Sequence, residues 1–199
     1  DAEQNLRLHP DTGGVAATDG VLAYASDDAN ANANPAIVAA AYTNNFAGAT
    51  TTTLYVLDAT LDTLVRQGSV GGTPDSPNGG RLFTLGRLGI NIGNDTGFDI
   101  AAPGDVAYVA ATQPNETATG FYSINLTSGA VTLIGAIGGG QVVRDIAVAT
   151  NFIAPNQPVQ LAVVNAASFA TGMVAPSSIA AAFGAFQTTN GQAANSNVL

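Results

Sequence analysis

The feature that most constrains this chain is a period of two carried by short β-branched and aromatic runs. TTTLYVLDA (51–59), DVAYVAAT (105–112), GFYSINL (120–126) and AVTLIGAI (130–137) each alternate in this way, and Gly, Pro, Asn and Asp punctuate them. Side chains alternate sides along a strand and recur every 3.6 residues along a helix, so these runs fit a pleated sheet and not a helix face. No long helical pattern competes before about residue 175. The expected fold class is all-β.

The runs also repeat. GFDIAA, DVAYVAAT, TGFYSINL and AVTLIGAI follow one another within 97–137, and VRDIAVAT (143–150) starts the series again. Four short antiparallel strands in about 40 residues is the size of one propeller blade. Asp99 and Asp145 stand 46 positions apart, which sets the period. The preceding unit places AIVAAAYTNN (36–45), TTTLYVLDA (51–59), TLVRQGSV (63–70) and RLFTLGRLGI (81–90) in the same order, lengthened by the insert GGTPDSPNGG (71–80). The opening, residues 4–25, matches only the later half of a unit, with NLRLHPDTG parallel to FYSINLTSG. The chain thus holds material for about three propeller-like units, whereas rings close with about four to eight. Open sheet edges are therefore expected, and an open edge must be covered, blunted or paired with another chain.

Composition narrows the partners. Net charge is −9 and only 10% of residues are charged, so Asn, Thr, Ser and Gln carry the surface polarity. There is no lysine, and the basic residues are Arg7, Arg66, Arg81, Arg87 and Arg144. A negative field of this kind repels phosphate backbones and anionic membranes, so neither nucleic acid nor a membrane is an expected partner. No cysteine is present, which excludes disulfides and thiolate metal sites. Sequons fall at Asn94, Asn115 and Asn125, matching the acceptor pattern in a chain where such triplets also arise by composition.

Few residues could carry chemistry. His9, the one histidine, sits in LHPDTG, a strand running into a turn. No Gly-x-Ser-x-Gly elbow accompanies it, and without lysine there is neither Schiff-base chemistry nor a Walker-type phosphate site. Asp58 and Asp62 flank a hairpin turn, while Asp99 and Asp145 are repeat equivalents. Both pairs read as acceptors for turn N–H groups, with a glycosidase-like carboxylate pair as the rival. The glutamates are Glu3 and Glu116. Tyr24, Tyr42, Tyr55, Tyr108 and Tyr122 lie on expected strands, where they pack inward or line a glycan-binding face. In DDANANANP (27–35), Asp28, Asn30, Asn32 and Asn34 alternate like calcium ligands. An EF-hand-like loop counted from Asp28 needs glycine at its sixth position and glutamate at its twelfth, which here are Ala33 and Ala39. The stretch reads instead as a connection between units, with Pro35 preventing a central strand. No catalytic, cofactor or metal residue is assigned.

QNLRLHPDTG, LAYASDDANANANPAIVAAAYTNN, TTLYVLD, GFDI and GFYSINLTSGAVTLIGAIG resemble a bacterial domain-of-unknown-function family of secreted repeat proteins, over residues 4–150. The resemblance implies propeller-like repeats and no established activity. VVNAASFATGMVAPSSIAAAFGAF (163–186) resembles the opening of an immunoglobulin-like module that ends many secreted bacterial proteins. The expected organisation is a β-repeat domain over 1–154 and a linker with a partial immunoglobulin-like tail over 155–199. The expected function is that of a non-enzymatic extracellular structural protein whose partners are copies of itself, joined through open β edges and the apolar tail as a filament or surface layer. The alternatives are a secreted module binding a glycan or protein on the loops 27–35 and 71–80, and a carboxylate-dependent hydrolase.

Overall fold

The computed structural model describes residues 4–148, 162–165 and 180–183. The chain divides into two units, 1–150 and 151–199. All longer elements are strands. In the first unit these are β1 (Leu6–Leu8), β2 (Val15–Thr18), β3 (Ala23–Tyr24), β4 (Ile37–Tyr42), β5 (Leu54–Asp58), β6 (Thr63–Gln67), β7 (Arg81–Arg87), β8 (Thr96–Ala101), β9 (Val106–Ala111), β10 (Thr119–Ile124) and β11 (Val131–Ile137). In the second unit, β12 (Ala162–Asn165) pairs antiparallel with β13 (Ala180–Phe183). The immunoglobulin-like expectation for 163–186 otherwise lies outside the described residues.

Two four-stranded antiparallel repeats are present, as the repeat alignment requires. The first sheet runs β3-β7-β6-β5-β4 and the second β11-β10-β9-β8; neither closes on itself. β1 and β2 form a separate hairpin. Two features depart from the sequence reading. The first sheet has a fifth strand, because β3 pairs in parallel with β7 at Ala23↔Arg81 and Tyr24↔Leu82. Residues 143–148, expected to open a further strand, join no ladder among the described residues. They lie against the second sheet instead: Val143 N donates to Thr119 Oγ1 (2.9 Å) and Val148 N to Asp99 Oδ2 (2.6 Å).

The period of two sorts the side chains into two cores. Leu57, Leu64 and Ala41 of the first sheet meet Phe98, Ile100, Val109, Tyr122 and Ile124 of the second, so one core fills the space between the sheets. Their neighbours Val56, Val65 and Leu82 point the other way, onto Leu22, Tyr24, Ala33 and Ile37. The first sheet is thus buried on both faces, which accounts for its nearly continuous apolar strands. Truncating a fully buried member such as Leu57 or Leu64 removes about 2–5 kcal/mol, the usual cost of lost transfer energy plus a cavity.

Candidate functional site

The repeats can be superposed by register, and this exposes the site. Leu64 pairs with Gly86 and Val65 with Thr84, so Leu85 is a bulged residue in β7. Phe121 pairs with Gly135 and Tyr122 with Leu133, so Ile134 is the corresponding bulge in β11. β7 and β11 are therefore equivalent outer strands, with Thr84 matching Leu133 and Gly86 matching Gly135.

The edge of β7 and the segment leading into it are covered from Asn78 to Thr84. Gly20 N donates to Asn78 O (2.8 Å), Ala23 N to Gly80 O (3.0 Å) and Ala25 N to Leu82 O (2.9 Å). The row ends at Asp28, whose Oδ2 accepts from Thr84 N (2.6 Å) and whose Oδ1 accepts from Thr84 Oγ1 (2.8 Å) and Asn30 N (2.8 Å). Asn30 Nδ2 adds a bond to Thr84 Oγ1 (2.8 Å). The sequence reading of DDANANANP as a connection between units is corrected here: it joins β3 to β4 of one sheet, and its capping role is not visible locally because Asp28 and Thr84 are 56 positions apart. The cover is itself anchored. Tyr24 Oη donates to Asp58 Oδ2 (2.6 Å), and Asp58 Oδ1 accepts from Thr60 N (2.7 Å) and Ala36 N (3.2 Å). Burial and the adjacent Asp58 carboxylate raise the Tyr24 phenol above its ordinary pKa.

The edge of β11 has no such cover among the described residues. Leu133 and Ile134 are 61% and 56% exposed. No charged residue occurs from Ala130 to Val143, so the devices that usually blunt an edge are absent apart from the bulge.

A concavity lies between β4 and β8. A cavity of about 300 Å³ is lined by Val38, Ala39 and Ala40 of β4, by Thr96 and Phe98 of β8, and by Asn94, Arg144 and Asp145. Arg144 Nε is 3.3 Å from Asp95 Oδ1 at this opening. The inner strands are tied together nearby, where Asn45 Nδ2 donates to Ile100 O (2.8 Å).

The other candidate residues have local partners. His9 lies exposed in its turn, with Nδ1 accepting from Asp11 N (3.3 Å). Asp62 Oδ1 accepts from Ile92 N (2.8 Å). Asp99 Oδ1 accepts from Ile100 N (2.8 Å), and Asp145 Oδ1 from Ile146 N in the same manner (2.8 Å). Among the described residues, no three His, Asp or Glu side chains converge. Tyr24 and Tyr122 are buried, Tyr55 packs against the intersheet core, Tyr108 stacks on Phe121 at 5.2 Å, and Tyr42 is exposed. Asn94, Asn115, Asn125 and Glu116 are exposed, and Glu3 lies outside the described residues. The loops 27–35 and 71–80 both contribute to the β7 cover, through Asp28 and through the carbonyls of Asn78 and Gly80.

The fold and its edges define an all-β protein of stacked, propeller-like four-stranded repeats. Residues 1–147 match a family described as a domain of unknown function (DUF4394), and the chain belongs to it. No curated protein and no solved structure matches the chain.

Proposed function

We propose that this chain is a bacterial, secreted, non-enzymatic structural protein that associates with copies of itself through an open β edge, as the subunit of a filament or surface layer. One observation carries the reading: of two equivalent outer strands, β7 is covered by the chain itself and β11 presents Leu133 and Ile134 to solvent. Unpaired N–H and C=O groups beside exposed apolar side chains form a template for strand addition. The low charge density supports it, since a neutral contact strip limits repulsion between copies that each carry −9. The carboxylates that an enzymatic reading would use are engaged by backbone N–H groups. The apolar tail would add a second contact.

Sedimentation velocity across a wide range of protein concentration, with electron microscopy of the most concentrated sample, tests this. Concentration-dependent oligomers or fibres are expected. A single monomeric species throughout would overturn the reading.

A further inference from the structure

We propose that the turn 9–14 of one copy docks against Gly135–Ile137 of a second copy, repeating between molecules a contact the chain already makes within itself. The proposal rests on the self-association reading and names its surface.

The template is the seam between the two sheets. The turn 125–130, which joins β10 to β11, sits on β7 at Gly86. A Cβ on Gly86 would strike Ser128 O, and one on Gly129 would lie 2.5 Å from Gly86 O. Real Cβ atoms do not approach backbone this closely, so the seam requires glycine on both sides. Val131 N donates to Leu88 O (3.1 Å) and closes the contact.

Both halves of this seam occur a second time. The turn 9–14 reproduces the turn 125–130 in four of its five bonds, lacking a counterpart only to Ser128 N donating to Asn125 Oδ1 (3.0 Å). Gly13 N donates to His9 O (2.8 Å) as Gly129 N does to Asn125 O (2.8 Å), and His9 N to Gly14 O (2.8 Å) as Asn125 N does to Ala130 O (3.0 Å). His9 Nδ1 accepts from Asp11 N (3.3 Å) where Asn125 Oδ1 accepts from Thr127 N (2.9 Å). Thr12 Oγ1 accepts from Gly14 N (3.3 Å) where Ser128 Oγ accepts from Ala130 N (3.4 Å). Gly13 and Gly129 both adopt positive φ, at 67° and 78°. On the receiving side, Gly135 occupies in β11 the position of Gly86 in β7.

Neither second half is used. A Cβ on Gly13 or on Gly135 meets nothing within 4 Å among the described residues. The hairpin behind the turn buries little: Leu8 is 58% and its cross-strand partner Val15 is 60% exposed. A two-stranded hairpin with both faces wet is marginal alone and gains from a third strand. A second copy supplies what each half lacks. Carrying the template across, Gly13 packs on Gly135 and Val15 N donates to the carbonyl of Ile137, the equivalent of Leu88. Leu8 and Val15 then approach the uncharged strip that holds Leu133 and Ile134. Each copy offers one turn and one receiving strand. The contact is therefore heterologous, and repeating it builds an open chain unless the rotation closes a ring.

The test uses Gly135→Val and a pair of single-cysteine proteins. Gly135 has no positive φ and open space around it, so valine suits the strand of an isolated molecule while blocking the seam as a side chain on Gly86 would. Sedimentation should show association weakened by at least about tenfold, with the melting temperature and circular dichroism of the monomer unchanged. The protein has no cysteine, so Val15→Cys and Ile137→Cys each carry one thiol. A short thiol-to-thiol crosslinker should give dimer in their mixture, but not in each alone or in either mixed with Val70→Cys, whose site just before the insert is 65% exposed. Self-association that survives Gly135→Val without mixture-specific crosslinking would overturn this docking while leaving the proposed function standing. If Gly135→Val fails to fold, the crosslinking result alone decides. A parent chain that is monomeric throughout would overturn both.

Discussion

β7 and β11 are the same strand in successive repeats and meet solvent differently. Each is the last strand of its four-stranded repeat, and both carry a bulge just before a glycine. On β7 the bonding position before the bulge is Thr84, whose N–H and hydroxyl turn to Asp28. On β11 the equivalent residue is Leu133, 61% exposed. A polar residue has met a polar cap from its own chain, and among the described residues an apolar residue has not. The difference teaches that strand count per repeat does not determine an edge. What determines it is whether a distant segment carries acceptors in the matching register.

Breaking the β7 cover gives the largest effect. Gly80 has φ 74°, and a Cβ there would run into the carbonyls of Gly20 and Val21. Gly80→Ala combines left-handed strain with a backbone collision, a loss of about 3 kcal/mol read by urea denaturation. The variant should also gain a second sticky edge, seen as increased aggregation. Stability matching the parent would mean that residues 20–21 do not cross Gly80 closely enough to exclude a methyl group.

Asp28→Ala is the next test. It leaves Thr84 N and Oγ1 without their acceptor in a half-buried setting. Hydrogen bonds to a charged group are worth about 1.5–3 kcal/mol, so destabilisation near 2 kcal/mol is expected, together with faster amide exchange at Thr84. Asp28→Asn keeps one acceptor oxygen and should recover part of the loss. If both variants retain parental protection at Thr84, the carboxylate is not what covers this edge.

These two positions also show what the sequence made legible. The eight strands β4–β11 fall inside the runs read as strands, and β4–β10 each bury residues that write their pattern into the chain. β3 leaves no such pattern: two residues cannot display a period, and its pairing with β7 is parallel and non-local. The alternating Asp and Asn of 27–34 raise the question of ligands, and the answer lies in Thr84, which no local spacing predicts. Residues 143–148 teach the converse. Their repeat of Asp99-Ile100 as Asp145-Ile146 is real down to the side-chain bond, yet pattern gives only the capacity to be a strand, and a ladder needs a neighbour. The His9 turn was legible as a turn. Its equivalence to the Asn125 turn was legible too, in the parallel of NLRLHPDTG with FYSINLTSG; the hydrogen bonds add that an imidazole and an amide do the same work there.

The smallest effect concerns pH, and it separates the two edges again. Tyr24 sits in the β7 cover, 7% exposed, with its phenol raised from 10.0 by burial and by the adjacent Asp58. A phenol held neutral in the folded chain contributes its full stability below the unfolded pKa. Above about pH 10 the unfolded chain releases that proton and the folded chain keeps it, so stability falls as pH rises, by at most about 1.4 kcal/mol per unit for one group. Tyr42 and Tyr55 are raised as well, first by burial, and add to the fall. Tyr24→Phe should therefore flatten, without abolishing, the loss of urea midpoint between pH 10 and pH 11. The β11 edge bears no titrating residue from Ala130 to Val143, so association through it should keep its affinity over the range in which the cover of β7 begins to weaken. A parallel decline of association and of Tyr24-dependent stability would mean that the two edges are coupled, and the contrast drawn between them would fail.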